Sequence, residues 1–145
     1  MYPDCAFRFE TPDDRGFNFL VELDNETERV RTKQDVESIE LKFRGYDAHQ
    51  SQFAANDPNR YVVLFVTTRG DGRLRNIISL ADAVMSNRHR TVFIGAGLDT
   101  LRAHDPFHDA IFEDHRGLMR TLIPQFKPEW KSKESVKHVD STVLI

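Results

Sequence analysis

A chain of 145 residues can bury one sizeable core and leaves little room for a second, so a single site is sought. With 39% hydrophobic and 30% charged residues the composition is that of an ordinary globular protein, and no apolar run approaches the roughly 18 residues that span a bilayer, so no membrane partner is expected. The net charge of −3 excludes a global attraction to nucleic acid, and one cysteine, Cys5, excludes an internal disulfide or a Cys-rich zinc site. No secretory signal is recognisable, and a cytoplasmic location is expected.

In chain order, residues 5–11 (CAFRFET) and 17–24 (FNFLVELD) largely alternate apolar and polar, and the PDDRG between them consists of turn formers. This predicts a β-hairpin. Thr32 and Asp35 suit a helix start, and Val36, Ile39, Phe43 and Tyr46 recur at helical spacing up to about residue 50. Residues 61–67 (YVVLFVT) are nearly continuously apolar, as in a strand buried on both faces. A second helix is expected over 73–86, where Leu74, Ile77, Ile78, Ala81 and Val84 form its apolar side, then a short strand over 91–96.

Strand, helix and strand in that order predict a crossover between parallel strands, so the class is α/β with a mixed sheet. A further helix is expected over 108–122. From residue 127 the chain turns polar and loses periodicity, which divides it into an α/β domain over 1–125 and a tail over 126–145 expected to be loosely ordered apart from Trp130.

The hairpin carries the chemistry. Alternation places Phe17, Phe19, Val21 and Leu23 on one face of the second strand and Asn18, Leu20, Glu22 and Asp24 on the other. Matching Cys5, Phe7 and Phe9 to Leu23, Val21 and Phe19 sets Asp4 across from Asp24. Asp4, Glu22 and Asp24 then form an acidic cluster whose mutual repulsion a hard cation would relieve. Mg²⁺, which keeps several waters and takes oxygen ligands, suits such a set and supports metal-assisted hydrolysis of a phosphodiester. The alternative is the wet face of an edge strand. Against it, the helix that follows must cross the sheet to reach residue 61, and so partly covers Glu22.

Pro3-Asp4 on one strand and Glu22-Leu23-Asp24 on the next, followed by a helix and a buried strand, resemble the PD-(D/E)XK nuclease superfamily. Its restriction-endonuclease-like fold places an Asp on one strand of a hairpin and an acidic-x-Lys triplet on its partner. Here the triplet ends in Asp24 where the pattern has Lys. Within the superfamily the chain resembles the replication-relaxation family of plasmid-associated proteins, through Pro3-Asp4, Glu22-Leu23-Asp24, Thr27-Glu28 and Lys42-Phe43-Arg44-Gly45-Tyr46, over roughly residues 2–97.

The resemblance implies an endonuclease-like domain linked to plasmid or mobile-element replication, dependent on Mg²⁺ or Mn²⁺ and acting on DNA. Asp4, Glu22 and Asp24 would be metal ligands, and Glu22, Asp24 and Lys42 catalytic, with Tyr46 supporting them and Lys42 replacing the absent strand lysine. The bland alternative for the helix pair has Lys42 snorkelling over the core edge and Tyr46 packing inside. The resemblance implies a helix and a strand before the hairpin and a winged-helix segment upstream; the sequence starts at Met1-Tyr2-Pro3-Asp4, so the expectation is either that it is truncated or that a partner completes the sheet. The resemblance therefore leaves open a catalytically inactive module for DNA binding or homodimeric assembly.

Other features point to less. Arg29, Arg31 and Lys33, then Arg73 and Arg75, then Arg88, His89 and Arg90 are basic groups able to meet DNA, although such groups are usually solvated faces. His104 and His108 are four apart, but Pro106 between them favours a surface loop over a metal pair. Gly70-Asp71-Gly72-Arg73 and Gly95-Ala96-Gly97 read as strand-to-helix turns, and Cys5 as packing.

Overall fold

A computed structural model describes residues 3–25 and 33–124 of the chain. Alternation in the first segment produces β1 (Cys5–Glu10) and β2 (Gly16–Asp24), an antiparallel hairpin paired as Cys5↔Val21, Phe7↔Phe19 and Phe9↔Phe17. This register is shifted by two residues from the one expected, which had Phe9 opposite Phe19. The turn sets it. Thr11 receives the Arg15 amide on its hydroxyl and donates its own N–H to the Arg15 carbonyl, and Asp14 takes a left-handed φ of 61°. A shift of two keeps every side chain on its face. Phe7, Phe9 and Phe19 accordingly share one side, with ring centroids 4.9 to 5.9 Å apart.

The apolar face of the hairpin ends sooner than its alternation suggests. Leu23 is about half exposed and Cys5 is exposed, so the thiol does not pack in the core.

β2 is an interior strand. It runs parallel to β3 (Tyr61–Thr67), with Asn18↔Tyr61 through Asp24↔Thr67, and β3 runs parallel to β4 (Phe93–Gly97). The connections are α1 (Lys33–Gln50) and α2 (Asp71–Val84). A short helix, α3 (Leu98–Ala103), follows β4 directly, with Gly97 at its N-terminus. β5 (Phe112–Asp114) and β6 (Met119–Arg120) then add antiparallel, completing a six-stranded mixed sheet in the order β1-β2-β3-β4-β5-β6.

The helix expected over 108–122 is therefore a hairpin. Asp114 breaks the helical pattern by accepting the amides of Arg116 and Leu118, and Gly117 adopts φ 81°, a tight turn between two short strands. The tail over 126–145 lies outside the described residues, as do Thr27, Glu28, Arg29 and Arg31.

The continuous apolar run of β3 has the predicted consequence of burial on both sides. Val63 and Phe65 meet Phe43 and Tyr46 of α1 and Ile77 and Ala81 of α2, with Phe93, while Leu64 and Val66 join Phe9, Phe19, Ile94 and Phe112 on the opposite face. α2 lies close over β4, because a Cβ on Gly95 would stand 2.7 Å from Leu74 Cδ1. Among the described residues, no helix is long and apolar enough to cross a membrane.

Candidate functional site

Because β2 is covered by α1, its polar face is not wet along its length. Glu22 is 3% exposed, in the heart of the α1 side. A polar group buried there costs free energy unless it is hydrogen-bonded, and α1 supplies the donors. Tyr46 O–H donates to Glu22 Oε1 at 2.5 Å, and Lys42 Nζ donates to Glu22 Oε2 at 3.0 Å. Residues 42 and 46 are one helical turn apart, so they meet the same carboxylate from one side.

Tyr46 is held firmly in the phenol form. Its pKa is pushed well above the ordinary value, first by burial and then by the hydrogen bond and charge of Glu22, with smaller effects of Tyr61 and Asp4. The two helical alternatives thus combine: Tyr46 packs inside and its hydroxyl engages the acid, while Lys42 stays 44% exposed along its side chain with its ammonium on Glu22.

Asp4 lies just beyond the last ladder pair, with its N–H on the Val21 carbonyl and its Oδ2 accepting the Leu23 amide at 2.8 Å. It is exposed, and close enough for its charge to act on the Tyr46 hydroxyl. The register places it beside Glu22, not opposite Asp24 as expected.

Asp24 is engaged elsewhere. Arg73, in the first turn of α2, donates Nε to Asp24 Oδ2 at 2.9 Å and a terminal nitrogen to Oδ1 at 3.0 Å, and Thr67 Oγ1 donates to Oδ2 at 2.8 Å. Burial alone would raise the Asp24 pKa. The hydrogen bonds from Arg73 and Thr67, and the charges of Arg73 and Arg69, outweigh it and hold the carboxyl below the usual aspartate value.

The strand carboxylates therefore fall into two environments: Asp4 and Glu22 beside Lys42 and Tyr46, and Asp24 with Arg73 and Thr67. Among the described residues no three His, Cys, Asp or Glu side chains form a group able to hold a metal ion. Two carboxylates suffice for Mg²⁺ when waters and a phosphate complete its octahedron. Both oxygens of Glu22 are already engaged, by Tyr46 and Lys42, as both of Asp24 are by Arg73, so a cation could reach either acid only by displacing a donor it now has.

Sequence reasoning missed Arg73 and Thr67 as partners of Asp24, having placed Arg73 in a basic surface group. The signal lay in the parallel register, which sets Thr67 level with Asp24. Of the other basic residues, Arg88 pairs with Asp82 and Arg90 binds the carbonyls of Gln50 and Phe53. The side chain of Lys33 lies outside the description. His104 and His108 occupy an exposed loop, each beside an aspartate. A cleft of about 890 Å³ lies at the far end of the sheet, over Phe17, Tyr61 and Leu122, and includes none of Asp4, Glu22, Lys42 or Tyr46.

Comparison with known proteins finds no family model, no curated protein and no solved structure that matches the chain.

Proposed function

We propose that this chain is a nuclease-like domain of the PD-(D/E)XK type, related to the replication-relaxation proteins, that binds Mg²⁺ or Mn²⁺ and acts on the phosphodiester backbone of DNA. One observation carries the reading: Lys42 and Tyr46 of α1 converge on Glu22 of β2, joining the two halves of the sequence motif through 3.0 Å and 2.5 Å hydrogen bonds. A mixed sheet with an antiparallel hairpin followed by α1, β3, α2 and β4 is compatible with that fold.

Asp4 and Glu22 would hold the cation, which when bound would acidify a water and offset negative charge on a phosphoryl oxygen. Tyr46 fixes the plane of the Glu22 carboxylate and stays protonated while doing so. Lys42 offers three N–H donors and spends one on Glu22, leaving the others to hold a phosphate oxygen or orient a water. Its cation thus stands in for the lysine that Asp24 displaces from the strand.

The Asp24–Arg73 pair favours a second reading, a module that keeps the fold for DNA binding or self-association without cleavage. Incubating supercoiled plasmid with Mg²⁺ or Mn²⁺ beside a Glu22→Gln control separates the two. The nuclease reading expects nicking by the wild type and at least a tenfold loss in the variant. Equal nicking by both, or none by either, would sink it, and salt-sensitive DNA binding or a stable dimer without nicking would then support the second reading.

A further inference from the structure

We infer that the cleft at the far end of the sheet binds a small organic monoanion, a carboxylate carried on an apolar body, and that Arg60 holds its charge. None of Asp4, Glu22, Asp24, Lys42 or Tyr46 lines this cleft, so the inference is independent of the nuclease-like reading.

The cleft exists because the two faces of the sheet are covered unequally. α1 and α2 both pack on the face that carries Val63 and Phe65. Against the other face the described chain sets only the six-residue α3 and the segments around Phe107, Ile111 and Leu122. Phe17 and Val62 are left partly buried, and with Phe19, Ile94 and Leu122 they form the apolar wall of a space of about 890 Å³. An apolar wall of that extent with a few polar groups at its edge is the make-up of a small-molecule site.

Most of the polar groups at the edge are satisfied within the protein. Arg8 bonds Asn18 and Glu10, Arg120 bonds Asp114, and the Asp57 carboxylate accepts the Asn59 amide. Arg60 differs. Its Nη1 donates to the Ala55 carbonyl, its Nε is buried without a partner, and among the described residues no carboxylate pairs with it. The charge that acts on it is a like one, that of Arg90, itself bound to the Gln50 and Phe53 carbonyls and to no acid. Burial and that like charge both push the Arg60 pKa below its ordinary value, as expected of a cation short of an anion.

The position of Arg60 is fixed, because the Asn18 side chain donates to the Pro58 and Arg60 carbonyls, both at 2.8 Å, and ties this turn to β2. Its unused N–H groups suit the two oxygens of a carboxylate. The ionised side chains lining the cleft are Arg8, Arg60 and Arg120 against Asp14 and Asp57, an excess of one positive charge that matches a monoanion. A phosphate dianion would need further donors, and none of the described helices begins in the lining to offer its amides.

Titration of octanoate and of octanol into the full chain, followed by calorimetry and by the methyl signals of Val62, Ile94 and Leu122, tests this. Octanoate should shift those three methyls and bind at least tenfold more tightly than octanol, which has the same chain without the charge. Arg60→Gln should lose at least tenfold for octanoate and stay within threefold of the wild type for octanol, which reports that the cleft is still formed. Arg60→Lys should recover part of the loss. Equal affinity for the two compounds, shifts confined to other methyls, an Arg60→Gln variant within threefold for octanoate, or no binding at millimolar octanoate overturns the inference. Inorganic phosphate binding there more tightly than octanoate also overturns it. The comparison of octanoate with octanol on the wild type needs no variant, and it decides the matter where Arg60→Gln does not fold.

Discussion

The hydroxyl of Tyr46 lies 2.5 Å from Glu22 Oε1, a contact between a helix and an interior strand made where the acid has almost no access to water. Removing that hydroxyl leaves a buried carboxylate oxygen without its donor. Tyr46→Phe should destabilise the fold by about 1.5–3 kcal/mol, the range for a hydrogen bond to a charged group. Tyr46→Ala also opens a cavity and should cost about 3–5 kcal/mol. Urea unfolding at pH 7 measures both, and a Phe variant as stable as wild type would show that the contact contributes little.

Lys42 makes the complementary bond but its side chain is partly exposed, so its loss is screened and partly compensated by solvent. Lys42→Ala should therefore destabilise less than Tyr46→Phe in the same urea experiment. Under the proposed function it should nonetheless lower plasmid nicking at least tenfold, with Lys42→Arg retaining part of the activity. A variant that loses stability heavily while nicking normally would identify Lys42 as a structural partner of Glu22.

The sequence revealed those elements whose periodicity was strong and whose partners followed in order. Alternation in the hairpin, the apolar run of β3 and the spacing of Phe43 and Tyr46 on α1 suffice to put Glu22 partly under a helix. The register resisted because it depends on a turn: Thr11 and Arg15 close the loop through their own hydrogen bonds, which strand patterning does not encode. Asp24 resisted for a longer-range reason. Its partner lies 49 positions away, and only the pairing of β2 with β3 and the start of α2 bring Arg73 to it. The hairpin β5–β6 was hidden by short strands, whose few residues resemble a helical stripe until Asp114 and Gly117 are seen to make a turn.

Gly95 offers a test of how tightly α2 sits on the sheet. A Cβ there would approach Leu74 Cδ1 at 2.7 Å and Ile78 Cδ1 at 3.2 Å, both ends of side chains that can rotate. Gly95→Ala should cost about 1 kcal/mol, while the branched side chain of Gly95→Val cannot be accommodated by rotation alone and should cost about 3 kcal/mol or more. Thermal unfolding followed by circular dichroism would show the ordering, and equal melting temperatures for the two variants would mean that α2 is held less closely than the contacts imply.

Acid should unfold the protein through Asp114 and Asp24. Asp114 is fully buried; burial works to raise its pKa, but hydrogen bonds from Arg120, Arg116 and the amides of Leu118 and Arg116 hold it below the ordinary value. Asp24 is lowered in the same sense, its burial offset chiefly by Arg73 and Thr67. A carboxyl whose folded pKa lies below its unfolded value of about 3.9 binds fewer protons when folded, so its contribution is complete above that value and disappears as the pH falls through the folded pKa. Stability should therefore be flat with respect to these groups above about pH 5 and fall steadily below about pH 4. Asp114→Asn should cost about 1.5–3 kcal/mol at pH 7, because Arg116 and Arg120 lose their anion but, at 30% and 38% exposure, keep part of their hydration, and it should flatten the acid limb. Urea midpoints measured from pH 7 to pH 2.5 provide the check: an acid limb equally steep in wild type and variant would show that Asp114 does not drive the transition.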